Sequence, residues 1–210
     1  MFTFTKNEIR DLIIAFIVIT IAFAISTVGL DLYGFISILP IIMIGVGIGF
    51  LLHELGHRYV AIKYGYRAEF KAWPLGLVVA LASAFTGFVF AVPGSSQVYA
   101  DNISDEINGK ISVAGPMANM ALSIIFIVVA ALIYPFASNS IIELIFLICT
   151  VGFSVNNFLA AFNLLPFYSL DGTKVLKWDV KIWSIIFAIS VLMLVASITI
   201  GPEKLVKLLI

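Results

Sequence analysis

An all-α, multi-pass membrane fold is expected from three features of this 210-residue chain. First, 62% of its residues are apolar and only 11% are charged, with a mean hydropathy of +1.14, whereas a soluble domain carries about twice that fraction of charge. Second, the charges sit in short clusters between long uncharged runs, an arrangement that suits hydrocarbon rather than water. Third, six apolar stretches occur at 12–30, 34–57, 74–92, 111–134, 141–165 and 182–200. Each is long enough as a helix to cross a hydrocarbon core about 30 Å thick. Twelve basic residues balance twelve acidic ones, so the charge pattern excludes a nucleic-acid-binding footprint. The single cysteine, Cys149, excludes an internal disulfide.

The first stretch follows Lys6 and Arg10 and contains Ala22-Phe23-Ala24, which resembles a signal-peptide cleavage site. Its apolar run is longer than a usual signal core and further spans follow it, so a retained first helix is expected. The second stretch ends among Arg58, Lys63, Arg67 and Lys71; Arg58 and Lys63 are expected to be solvated surface charges without a role. The third differs from the rest. It opens at Pro74, contains Gly76 and Gly87, and closes on Pro93-Gly94, all helix-breaking signals. A re-entrant path through 74–92 puts Lys6, Arg10, the 58–71 cluster and Lys174, Lys177 and Lys181 on one face. The connections near Asp31 and Ser138, which lack Lys and Arg, then lie on the other. The positive-inside rule makes the basic face cytoplasmic. A spanning third stretch would break that pattern; Lys204 and Lys207 fit the re-entrant path poorly. The expectation is therefore about five to six transmembrane helices, five of them full spans beside a re-entrant segment near 74–92, with a cytoplasmic amino terminus. No internal repeat appears, and 95–110 is too short to fold alone, so residues 1–210 read as one membrane-embedded domain.

The chemistry concentrates in His53-Glu54-Leu55-Gly56-His57. Positions four apart lie on one helix face, so both imidazoles can reach one metal ion, and Glu54 beside them can take a proton from a water on that metal. These are the only two histidines in the chain. They fall near the end of an apolar helix, where ionisable groups are costly unless paired, coordinated or functional. Gly45 and Gly49 extend the stripe at the same spacing and suit close backbone approach, in ordinary helix packing or beside a ligand face. Hydrolytic zinc takes three protein ligands and one open position. The third must come from elsewhere: Glu143 and Cys149 are candidates, and Asp171 is better placed. Asp171 follows Asn163-Leu164-Leu165-Pro166, where proline stops a span, and precedes Gly172; broken helices in membranes line cavities. It reaches the face that carries His57 only if the third stretch is re-entrant.

These motifs resemble the site-2 protease family of intramembrane zinc metalloproteases, peptidase family M50. His53-Glu54-Leu55-Gly56-His57 is similar to its zinc-binding helix. Asn163-Leu164-Leu165-Pro166-Phe167-Tyr168-Ser169-Leu170-Asp171-Gly172 is similar to its Asn-x-x-Pro-x-x-x-Leu-Asp-Gly segment, and Gly115-Pro116-Met117-Ala118-Asn119 to its Gly-Pro-x-x-Asn. The resemblance covers 53–172, in family order, within a core of about 35–200. It implies one Zn2+ per chain held by His53, His57 and Asp171, and Glu54 as catalytic acid/base. It further implies a transmembrane protein as substrate and an active site toward the cytoplasmic side of the cell membrane. The PDZ and CBS domains of many relatives are missing from this sequence.

Asn119, Asn156 and Asn163 have two readings, as amides linking helices or as groups holding substrate backbone or orienting an oxyanion; the resemblance favours the second for Asn163. Rival functions fare worse. A di-iron hydroxylase needs more than two histidines, and a prenyl-protein zincin needs a downstream Glu motif that is not found. A non-proteolytic zinc-binding or zinc-transport protein remains the alternative, but a transporter should show internal repeats and has no need of Glu54.

Overall fold

The computed structural model describes residues 3–100, 102–137, 140–167 and 170–210. Residues Met1–Asn102 and Ile103–Ile210 each form a compact unit.

In the first unit, α1 (Lys6–Val28) starts at Thr5, whose Oγ1 accepts a hydrogen bond from the Glu8 backbone at 3.2 Å. Such an N-cap satisfies one of the orphan donors of a helix start. α2 (Leu32–Ile42), capped by Asp31, continues through a π-helical turn at Met43–Gly47 into α3 (Ile48–Lys63). Pro40 lies inside α2 and has no N–H to give the preceding turn, which favours a local change of winding. The Met43 N–H then lies between the carbonyls of Leu39 and Pro40. Gly47 is needed there: a Cβ on it would sit 2.2 Å from the Phe16 ring.

β1 (Arg67–Ala72) and β2 (Gly94–Tyr99) form an antiparallel pair, registered from Arg67 opposite Tyr99 to Ala72 opposite Gly94. The pairing continues with Trp73 N donating to Pro93 O at 2.8 Å. The intervening segment thus leaves and returns at the same end of one sheet. Its only helix, α4 (Pro74–Ala84), has 11 residues and a length of about 16 Å, half of what a crossing needs. α4 packs on α1, and Gly76 lies so near the returning chain that a Cβ would meet the Val92 carbonyl at 2.1 Å. The re-entrant expectation for 74–92 is borne out.

The outer edge of β1 is closed by side chains. Arg58 Nη1 donates to Ala68 O at 2.9 Å, Glu8 Oε1 accepts from Phe70 N at 3.2 Å, and Asp11 Oδ2 accepts from Ala72 N at 3.2 Å. On the exposed face of the strand, a hydrogen bond from Arg67 holds the Glu69 carboxyl below its ordinary range.

Arg58 corrects one expectation. It is buried, not solvated, because Glu8 of α1 lies against it as an ion-pair partner. Its Nη2 donates to Thr3 O at 2.6 Å, and its guanidinium lies 4.3 Å from the centroid of the Phe4 ring. Lys63 is exposed, as expected. Removing one partner of a buried pair strands a charge in low dielectric, which typically costs about 3–5 kcal/mol. Glu8→Ala is therefore expected to lower the unfolding free energy in detergent by an amount of that order; a loss below about 1 kcal/mol, the size of an exposed pair, would contradict the assignment.

In the second unit, α5 (Asp105–Ile133), capped by Ser104, passes through a short 3₁₀ turn at Tyr134–Phe136. α6 (Ser140–Asn163), α7 (Asp171–Trp178), α8 (Val180–Thr199) and α9 (Pro202–Leu209) follow. α5 and α6 are the main packing pair. An apolar cluster of Ile127, Ala130, Cys149, Phe153 and Val206 joins α5, α6 and α9. Asp179 starts α8 by accepting from Lys181 N and Ile182 N at 2.8 and 3.0 Å.

Among the described residues, five helical segments are long and apolar enough to cross a membrane: Lys6–Val28, Leu32–Lys63, Asp105–Phe136, Ser140–Asn163 and Val180–Thr199. These correspond to the first, second, fourth, fifth and sixth predicted stretches. The fold is that of an all-α polytopic membrane protein with one small sheet.

Candidate metal centre

α3 is an apolar helix that buries a polar face. Gly45, Gly49, His53, Glu54, His57 and Arg58 are all buried on this span. The His53 and His57 Nε2 atoms lie 3.0 Å apart, with ring planes at 86°. Two nitrogens bound to one tetrahedral zinc at 2.0–2.1 Å would be about 3.3 Å apart, so the histidine pair fits the predicted ion with little movement.

Glu54 is 7% exposed. Its carboxylate is held by a residue the sequence did not single out: Ser96 of β2 donates from Oγ to Glu54 Oε2 at 2.7 Å. Nothing in the local sequence around Ser96 marks it. Forty-two residues separate the pair, and only the sheet, which lies against α3, brings them together.

Asp171 begins α7 and is 8% exposed. A carboxylate in the first turn of a helix is stabilised by the unpaired N–H groups there. Gly172 sets its position, since a Cβ at 172 would meet Leu164 O at 2.0 Å and Leu164 C at 2.3 Å. The start of α7 therefore lies against the end of α6, where Pro166 has stopped the helix. Tyr168 and Ser169 of the same motif lie outside the described residues, as does the predicted connection at Ser138. His53 and His57 in the first unit and Asp171 in the second, two imidazoles and a carboxylate, are residue types that could hold a metal ion, and each is buried within its own unit. The other two third-ligand candidates are placed differently, Cys149 within the apolar cluster and Glu143 exposed in the first turn of α6.

The three asparagines form helix contacts. Asn119 Nδ2 donates to Asn156 Oδ1 at 2.8 Å, and Asn156 Nδ2 donates to Gly152 O at 2.8 Å, linking α5 to α6. Ser123 Oγ adds a bond to Asn157 Oδ1 at 2.7 Å. Asn163 Nδ2 donates to Leu159 O on its own helix at 2.9 Å.

A family profile described as Peptidase family M50 matches residues 41–142. The chain is 41% identical over 187 residues to a protein of Methanocaldococcus jannaschii whose name assigns it provisionally to the zinc metalloproteases; the match covers 89% of this chain and 92% of the relative. A second protein of that organism, named a zinc metalloprotease, is 26% identical over 163 residues, 75% of this chain and 39% of the relative. A Bacillus subtilis protein, also provisionally named a zinc metalloprotease, is 26% identical over 164 residues, 70% of this chain and 72% of the relative. No solved structure matches the chain significantly. The helical membrane fold, the buried donor set and these relatives together define a multi-pass membrane zinc metalloprotease. The chain belongs to peptidase family M50.

Proposed function

We propose that this protein is an intramembrane endopeptidase that hydrolyses peptide bonds within the transmembrane segments of other proteins. The observation that carries the reading is the burial of two imidazoles and a carboxylate, His53, Glu54 and His57, along one apolar span. Charged and metal-binding groups at such depth are expensive unless they work. His53, His57 and Asp171 are assigned as zinc ligands. Zinc in such a donor set supplies Lewis acidity toward a peptide carbonyl and lowers the pKa of water from about 15.7 toward 7.

Glu54 is the acid/base. It accepts the proton of the attacking water and delivers it to the leaving amine. Asn163 spends one amide hydrogen on Leu159 O; an amide carries two, and the second is assigned to the developing oxyanion. A substrate helix pairs all its backbone groups internally, so the bond to be cut must first be unwound. The sheet offers a seat for the unwound strand. β1 is closed on its outer side by Arg58, Glu8 and Asp11, whereas no described residue bonds the outward backbone groups of Gly94, Ser96 and Val98 on β2. An extended peptide can add there as a third strand.

The catalytic residues are assigned to the cytoplasmic side, with the amino terminus. The support is the charge pattern together with the return of 74–92 to its own sheet.

The test uses purified protein in liposomes with a single-span substrate. Cleavage should map by mass spectrometry inside the apolar segment, stop with a zinc chelator and resume on adding zinc. Cuts confined to the water-exposed flanks would refute intramembrane action.

A further inference from the structure

We propose that Ser96 is a positioning residue for Glu54, holding one carboxylate oxygen so that the other faces the reaction. The inference rests on the reading of Glu54 as the acid/base and adds the device that aims it.

A glutamate side chain has three rotatable bonds, and packing alone leaves its head free to turn. Ser96 removes that freedom. Its Oγ lies 2.7 Å from Glu54 Oε2 and 3.3 Å from the Glu54 backbone oxygen. A hydroxyl carries one hydrogen, and the shorter, charge-assisted contact takes it. One lone pair of Oε2 is thereby engaged, which fixes the orientation of the carboxylate head, and Oε1, without that tie, is assigned to take a proton from water.

The strand geometry explains why this residue can do so. β2 alternates, with Ser96 and Val98 half-buried and Ser95, Gln97 and Tyr99 exposed. The Ser96 side chain therefore turns inward to α3, while its backbone N–H and C=O point along the sheet plane. In this register the pairs at 67, 69 and 71 with 99, 97 and 95 face each other, because the outward groups of Ala68, Phe70 and Ala72 are engaged by side chains. Ser96, opposite Phe70, then offers its backbone to the open edge. One residue thus meets the base through its side chain and a docked strand through its backbone. Glu54 is aimed by the same strand that would align the scissile segment.

The experiment compares Ser96→Ala, Ser96→Thr, Glu54→Gln and the Ser96→Ala/Glu54→Gln double variant of the full chain in liposomes with a single-span substrate. The readouts are kcat, KM, zinc content and melting temperature. Ser96→Ala should lower kcat about 10- to 100-fold, the effect of losing a hydrogen bond to a charged group, with KM, zinc and melting close to wild type. Ser96→Thr, which keeps the hydroxyl, should recover most of the rate. The double variant should be no slower than Glu54→Gln alone, because the lost contact has nothing left to aim. An unchanged kcat in Ser96→Ala beside an inactive Glu54→Gln would overturn the positioning role and leave the base assignment standing. An equal fall in the Ala and Thr variants, or a rise in KM alone, would overturn it in favour of strand packing. Full activity of Glu54→Gln would remove the base itself, and this proposal with it.

Discussion

Replacing Glu54 with Gln is expected to leave a folded, zinc-loaded protein whose kcat on a membrane-spanning substrate is lower by on the order of 10²–10⁴-fold, the usual contribution of a general acid/base. The substitution isolates chemistry from structure. Glutamine keeps the length and shape of the side chain, and its amide oxygen still accepts from Ser96 Oγ, now 2.7 Å from Glu54 Oε2. Packing in the buried face of α3 and the tie to β2 should both survive, so the melting temperature should stay near wild type. What disappears is the basicity needed to take a proton from water at neutral pH. Neither imidazole changes, so metal content should hold at one zinc per chain. Steady-state cleavage beside metal analysis of the same preparation checks both halves. A Gln variant that cuts at the wild-type rate would end the acid/base assignment, and one that loses zinc would mean that Glu54 is a ligand.

Hydropathy made the spans legible, because length and the lack of charge are physical requirements of a bilayer crossing. The return of 74–92 was legible from Pro74, Gly76 and Pro93-Gly94 together with the basic residues on either side. The structure adds the cause, a strand on each flank with Trp73 bonded to Pro93. β1 had a signal in the alternation of Ala68, Phe70 and Ala72 with Arg67, Glu69 and Lys71, a period of two. Arg67 and Lys71 also carry a different signal, the basic face of the membrane, which does not mark a strand. β2, Gly-Ser-Ser-Gln-Val-Tyr, has no comparable apolar alternation and exists because β1 pairs with it. The π-helical turn depends on Pro40 and on the contact of Gly47 with Phe16, and the second of these is tertiary. Arg58 was misread for the same reason: its partner Glu8 lies 50 residues earlier, and no local pattern announces a buried pair. The candidate metal-binding helix was the most legible part of the proposed site, since four-residue spacing on a helix is itself the geometry. Ser96 was invisible, being assigned by a fold contact alone.

Asp171→Ala is expected to cost the protein its zinc, and with it all hydrolytic activity. With two imidazoles as the remaining protein ligands, the donor set falls below the three that hydrolytic zinc sites use. Zinc should then be lost on desalting against a mild chelator that leaves the wild type loaded. The same ligand can be disturbed without touching its carboxylate. Gly172→Ala would place a methyl 2.0 Å from Leu164 O and 2.3 Å from Leu164 C, and backbone atoms cannot swing aside as a flexible side chain can. The first turn of α7 must shift and carry Asp171 with it. The expected result is a zinc affinity about 10- to 100-fold weaker, the range seen when the support of a ligand is removed rather than the ligand. Cys149→Ala and Glu143→Ala serve as controls and should retain full zinc, since one side chain belongs to the apolar cluster and the other is exposed. Titration against a chromophoric chelator ranks all four variants on one scale. Wild-type affinity in Asp171→Ala, or zinc loss in Cys149→Ala instead, would assign the third ligand to another residue. Either result would also end the proposal that Asp171 completes the ligand set.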